Sequence, residues 1–180
     1  MGPRSRNLAI RRVGRYSRAT PSATLPRAVR ISAKADYAVR AAVELAAASD
    51  AKPVKAERIA TAQEIPLNFL ENILGELRHS GIVRSQRGAE GGFMLAKPPD
   101  QVSVADVMRA VEGPLASVRG ESPEELDYIG AAEQLQQVWV ALRGNIRGVL
   151  ETVTLDDIVK GRLPKKVLRL TEEPGAWARR

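Results

Sequence analysis

The chain has 180 residues, enough for one hydrophobic core plus an element that pairs with a second copy. Hydrophobic residues make up 44% and aromatic ones only 4%, so the core is mostly aliphatic, and no run of about 18 apolar residues exists to span a membrane. There is no cysteine, which excludes disulfides, cysteine-held zinc and thiolate-held iron–sulfur clusters.

The formal charge of +7 is a poor guide to partners. Residues 1–30 hold eight arginines (4, 6, 11, 12, 15, 18, 27 and 30) and no acid. Removing those eight leaves 20 basic residues against 21 acidic ones in 31–180, a net of −1. Any case for nucleic acid therefore rests on where the charges lie, not on how many there are.

Residues 1–28 are rich in Arg, Ser and Pro with no apolar period and read as a disordered basic extension. Ser32 is an N-cap for a helix running to about Ser49. Its core face is Tyr37, Ala41, Leu45 and Ala48, with Ala38 and Ala42 beside it, and the alanines allow close packing. Arg30, Lys34 and Arg40 sit at a basic edge that suits a phosphate backbone or plain solvent.

Residues 54–96 read as two short helices, a tight turn and a two-stranded ribbon with a glycine-rich tip. The first helix is 55–61, with Ala56, Ile59 and Ala60 on one face, and the turn is 62–65. The second helix opens at Pro66, whose fixed φ and missing N–H suit a first helical position. Phe69, Leu70, Ile73, Leu74 and Leu77 fall on one stripe at helical period. Asn68, Glu71, Asn72, Gly75 and Arg78 lie opposite, and Gly81 ends the helix. A strand starts at Ile82-Val83, Gly88 to Gly92 make a turn that needs positive φ, and Phe93 to Leu95 return. This is the order of a winged helix-turn-helix. An amide-bearing helix face beside an arginine-bearing hairpin suits a DNA groove and its backbone.

Ser103 caps a helix over 104–112, with Val104, Val107, Met108 and Val111 inward, and Gly113-Pro114 stop it. A loop covers 115–122, and Ser122-Pro123 opens what reads as another helix. The longest helix spans about 131–152, with Leu135, Val138, Trp139, Leu142, Ile146, Val149, Leu150 and, just beyond it, Val153 in one stripe. That is more apolar surface than a small winged domain covers, so a two-fold partner helix is expected to bury it, alongside packing on the helix over 32–49. Gly144 and Gly148 allow close approach but weaken this helix. Thr154 caps a last short helix, 155–159, which ends at Gly161, and 164–180 is a mixed tail carrying Trp177.

Three pieces together carry a resemblance: Ile31-Ser-Ala-Lys-Ala-Asp-Tyr37-Ala-Val-Arg40-Ala; Phe69-Leu-Glu71 with Leu74 and Leu77-Arg78; and Val83 with Arg87-Gly88, Gly91-Gly92-Phe93 and Leu95. The chain resembles the IscR/NsrR (Rrf-two) family of bacterial winged-helix regulators over about residues 31–163. The resemblance implies that Asn68, Glu71 and Asn72 read base edges: Asn pairs with adenine, and Glu accepts from the cytosine amino group. It implies that Arg87 enters the minor groove, with Gly88, Gly91 and Gly92 shaping the wing. Arg78 and Arg84 are assigned to phosphates, as are Lys34 and Arg40. It also makes the 131–152 helix the dimerisation helix.

Two departures from the family are visible. Where the family commonly has glycine before the turn isoleucine, this chain has Glu64, so either the turn uses a non-glycine geometry or the preceding helix runs slightly longer. Asp36 stands where cluster-binding relatives supply a carboxylate to iron, but the segment between Gly113 and Trp139 holds no cysteine. Asp36 therefore reads as a helix-surface or inter-subunit charge. Family chains open with Met-Arg before an Ile/Leu-Ser/Thr pair, matched here by Val29-Arg30-Ile31-Ser32. Val29 thus reads as an alternative start, with 1–28 upstream of it. A basic arm on the phosphates and an organelle transit peptide are the other readings.

The single histidine, His79, sits at a helix end, where it meets the helix dipole. No Ser/His/Asp set, metal cluster, P-loop or dinucleotide fingerprint is present, so no enzyme and no cofactor are expected. The fold class is mainly α with a small β-wing: a winged helix-turn-helix at 29–113, a loop at 114–130 in the place of the cluster segment, dimerisation and short C-terminal helices at 131–163, and a tail at 164–180. The expected function is that of a cytoplasmic, dimeric, sequence-specific DNA-binding regulator. It would be a repressor on a pseudo-palindromic double-stranded operator, answering to a regulatory protein, to a small molecule in a pocket lined by the 113–132 loop, or to no signal, rather than to a cluster. The alternative is a winged-helix protein-interaction module without specific DNA binding, which the near-neutral body favours.

Overall fold

An alanine-faced helix lies at the centre. A computed structural model describes residues 31–48 and 52–178; the expectations for 1–28 and for a helix end at Ser49 lie outside them. Helix α1 (Ala33–Ala47) is capped by the Ser32 hydroxyl, which accepts from the Ala35 N–H at 3.0 Å. Its buried side chains are Ala35, Ala38, Ala41, Ala42 and Leu45. Four methyl-sized contacts let other backbones come close on several sides.

Helix α2 (Ala56–Gln63) and helix α3 (Leu67–His79) follow, then strands β1 (Val83–Gln86) and β2 (Gly92–Leu95), then helix α4 (Val104–Glu112). α1 packs against α3, α4 and β2, and also against α6 (Leu155–Val159). Ile59, Leu70, Ile73, Leu74, Leu77, Val83, Val107 and Leu155 fill the core between these elements. Residues 31–180 group into one unit.

The turn between α2 and α3 resolves the glycine departure in favour of the longer helix, and the expected non-glycine geometry is not adopted. α2 runs two residues beyond the expected end, to Gln63, and Glu64 itself takes the left-handed conformation, at φ 52° and ψ 43°. The Ile65 N–H then returns to the Ala60 carbonyl at 2.9 Å. A side chain in that region is strained, which is why glycine suits the position.

Helix α4 has the expected bounds, but Val104 is only half-buried while Ala105 joins Val107, Met108 and Val111 inside. Ser103 and Asp106 make a capping box, and so do Thr154 and Asp157 at the start of α6. The two caps are laced together: the Val104 N–H donates to Val153 O at 2.9 Å and the Leu155 N–H to Val102 O at 3.0 Å. Thr154 holds the Asp157 carboxyl below the usual carboxylate range, through its backbone N–H and its hydroxyl.

Three expected elements differ. The helix opening at Ser122 is only a short 3₁₀ turn, Pro123–Glu125, because the chain leaves it to bury Leu126. The long helix α5 (Leu135–Leu150) starts four residues late: Gly130 takes φ 61° and Gly130–Ala132 form a separate 3₁₀ turn. The tail contains a further helix, α7 (Lys165–Glu172).

Replacing Glu64 with glycine removes the left-handed strain without touching a buried group. Glu64→Gly is expected to stabilise the protein by about 0.5–1 kcal/mol and Glu64→Val to destabilise it by about 1–2 kcal/mol, both read from urea unfolding.

Candidate nucleic-acid interface

The exposed face of α3 is built by the burial of its opposite face. Pro66 accepts from the Phe69 and Leu70 N–H groups, each at 3.0 Å, and starts the helix. Leu70, Ile73, Leu74 and Leu77 are buried. With that stripe inward, Asn68, Glu71, Asn72 and Arg78 are exposed, and Gly75 is half-buried among them. Asn68, Glu71 and Asn72 are spaced i, i+3, i+4, so they share one face. Among the described residues none of these three makes a side-chain hydrogen bond or ion pair.

Phe69 is a correction to the sequence reading. It was expected in the buried stripe but is 49% exposed. At 100° per residue it falls about 90° round from the centre of the stripe. Its ring sits edge-on to Tyr37, with centroids 6.1 Å apart, so α1 covers only part of it.

Strands β1 and β2 pair antiparallel, Val83 with Leu95 and Gln86 with Gly92. Val83 is buried, whereas Arg84 and, beyond the strand, Arg87 are exposed. The wing is also anchored at its base. Val54 exchanges two hydrogen bonds with Phe93, N–H to O and O to H–N, each at 2.8 Å. A Cβ on Gly92 would lie 2.5 Å from the Val54 carbonyl oxygen, and one on Gly91 would lie 2.4 Å from that of Gln86. Both glycines are therefore required for close approach. Gly88, at φ 110°, supplies the turn, and Gly91 N–H closes it on the Gly88 carbonyl at 2.9 Å. Arg78 reaches across to the wing, donating to Ser85 Oγ at 3.5 Å.

Lys34 and Arg40 are engaged within the chain. Lys34 Nζ donates to the Val111 carbonyl at 2.8 Å and pairs with Glu76 at 2.7 Å, tying α1 to α4 and α3. Arg40 donates to the Gln63 side chain at 3.1 Å and to the Gln63 carbonyl, pairs with Asp36 at 3.3 Å, and lies 5.5 Å over the Tyr37 ring. It fixes the end of α2, and hence the helix-turn-helix angle, on α1.

The 114–130 segment is pinned to α5. Arg143 pairs with Glu124 and donates to Ser122 Oγ at 2.9 Å, and the Trp139 indole N–H donates to the Tyr128 hydroxyl at 3.1 Å. No residue of α5 is fully buried. Leu135, Trp139, Leu142, Ile146, Val149 and Leu150 are half-buried, and Val138 is 54% exposed. Towards its C-terminal end Ile146 and Leu150 pack on Ala35, Ala105, Met108 and Leu115.

Residues 31–161 match the family model described as "Rrf2: Iron-dependent Transcriptional regulator". The chain is 49% identical over 145 residues to the Mycobacterium tuberculosis protein named "Putative HTH-type transcriptional regulator Rv1287", covering 81% of this chain and 90% of that protein. It is 31% identical over 130 residues to CymR of Bacillus subtilis, covering 72% and 89%. The solved structure of CymR (YrzC), the global cysteine regulator of B. subtilis, matches with a TM-score of 0.63 over 73% of this chain and 97% of that one. IscR of T. potens matches at 32% identity and a TM-score of 0.61, over 73% and 87%. These relatives are regulators, a non-enzymatic class.

The iron in that family description finds no thiolate ligands here. The sequence has no cysteine, and Asp36 is paired with Arg40. Among the described residues no three His, Cys, Asp or Glu side chains converge on one point. The residues present do not fit a thiolate-held cluster.

The two glycine environments separate in a stability measurement. Gly92→Ala is expected to cost about 1–3 kcal/mol and to strip hydrogen-exchange protection from the Val54 and Phe93 amides. Gly75→Ala, in a helix interior with open space around it, is expected to gain about 0.5–1 kcal/mol.

Proposed function

The chain belongs to the Rrf2 family of transcriptional regulators, and on that premise we propose that it is a dimeric, sequence-specific DNA-binding repressor that works in the cytoplasm without an iron–sulfur cluster. The observation that carries this is the α3 face. Asn68, Glu71 and Asn72 stand exposed and uncommitted within the described residues, next to a rigidly anchored wing that presents Arg84 and Arg87.

In this reading α3 enters the major groove, with the two asparagines placed for adenine and Glu71 for the cytosine amino group. Arg87, at the start of the wing turn, enters the neighbouring minor groove, where narrow A·T tracts attract arginine. Arg78 and Arg84 meet phosphates and set the register. Lys34 and Arg40 would have to leave their protein partners to do the same, so their part is to hold α1 against α2, α3 and α4. The apolar stripe of α5 pairs with its copy across a two-fold axis, which makes the operator an inverted repeat. The signal would be a partner protein or a small molecule, because the residues that would ligate a cluster are absent.

Fluorescence anisotropy of the full chain on its own upstream DNA tests the proposal. The promoter is expected to bind at least about a thousandfold more tightly than a scrambled duplex, and Arg87→Ala to cost about tenfold on the promoter. Equal, steeply salt-dependent binding to both duplexes would overturn specific recognition. No binding at all would favour a protein-interaction module on the same fold.

A further inference from the structure

The two ends of α5 carry opposite charge. Residues 121–133 hold Glu121, Glu124, Glu125, Asp127 and Glu133 and no base. Residues 160–169 hold Lys160, Arg162, Lys165, Lys166 and Arg169 and no acid. All ten are exposed, and two of them are paired: Lys160 with Asp156 and Glu124 with Arg143.

Each segment is fixed at a known level along the helix. The acidic segment lies along the N-terminal part of α5, where Gln136 Nε2 donates to the Glu124 carbonyl at 3.1 Å and Arg143 holds the Glu124 carboxylate. The basic helix α7 lies beside the last turns, where a Cβ on Gly148 would come within 3.2 Å of Lys166 Nζ. Among the described residues Lys165, Lys166 and Arg169 make no ion pair, and neither do Glu121, Glu125, Asp127 and Glu133. α7 also buries none of its side chains: Leu168 and Leu170 stay exposed, and so does Trp177, folded back onto the Thr171 carbonyl.

We infer that α7 of one chain docks on the 121–133 segment of a second copy, and that this contact sets the direction in which the two α5 helices pair. The inference rests on the dimer reading above and says which surfaces meet. In a two-fold pairing with antiparallel α5 helices, the C-terminal end of each lies against the N-terminal end of the other. Basic α7 then faces the acidic segment twice, once at each end. In a parallel pairing, base would face base and acid would face acid. The charge pattern therefore favours one orientation and penalises the other.

Two full-chain variants test this. One carries Lys165→Glu, Lys166→Glu and Arg169→Glu; the other carries Glu121→Lys, Glu125→Lys and Asp127→Lys, and both leave the Arg143–Glu124 pair intact. In either homodimer, like charges face each other at both ends. In a one-to-one mixture every contact is again between opposite charges. Sedimentation velocity over a dilution series is expected to show each variant alone dimerising about tenfold more weakly or worse, with the mixture restored and the wild-type dimer weakened by salt. Restoration also certifies that both variants fold. Wild-type affinity for each variant alone, or weakened variants that do not recover on mixing, overturns the inference while leaving the α5 dimer standing. A wild-type chain that stays monomeric overturns the dimer reading and this contact with it.

Discussion

The close packing around α1 is the constraint on which the rest depends. Ala35, Ala38, Ala41 and Ala42 are completely buried, and their small size sets how near α3, α4 and α6 can come. Interiors packed to crystal density do not absorb extra methylenes. A larger side chain at any of these four positions would force the elements packed on α1 apart. The polar ties follow the same logic. Arg40 pins the end of α2, and Lys34 ties the start of α1 to α3 and α4. The chemistry of recognition then falls to side chains that the core leaves outside.

The wing is placed by backbone pairing together with the burial of Val83 and Met94. Its second strand is held on one side by β1 and on the other by Val54, at a distance only glycine at 92 permits. A hairpin of four-residue strands is marginal alone. The bridge to Val54 ties it to the segment that leads directly into α2, so the wing and the helix-turn-helix form one framework. Among the described residues Glu64, Ala116 and Arg119 are left-handed without being glycine, and at Glu64 the chain accepts that strain to keep the turn between α2 and α3 short.

Most of this was legible in the sequence because it is local. The period of Leu70, Ile73, Leu74 and Leu77, the caps at Ser32, Ser103 and Thr154, and the glycine cluster of the wing each act over a few residues. What escaped was non-local or marginal. Phe69 sits at the edge of its stripe, where burial depends on how far α1 extends over it. The Val54–Phe93 pairing joins segments far apart in sequence. Ala131 and Ala132 are strong helix formers, yet the left-handed Gly130 and the 3₁₀ turn that follows delay α5. α7 was hidden because its mixed Lys-Lys-Val-Leu-Arg-Leu pattern buries nothing within one chain. In the candidate site, Asn68, Glu71, Asn72, Arg84 and Arg87 were readable as exposed. The partners of Lys34 and Arg40 needed the three-dimensional arrangement, since Val111 and Gln63 lie on other helices.

The central claim joins two surfaces of one chain: α3 with its wing reads a half-site, and the α5 stripe brings a second copy to read the other half. In vitro selection of duplexes from a random library by the full chain tests both together. The account predicts an enriched inverted repeat whose half-sites are separated by about one helical turn, roughly 10–10.5 base pairs, or a multiple of it. Enrichment of a single unrepeated half-site would contradict the two-fold arrangement, and no enrichment over the starting library would contradict base reading by α3.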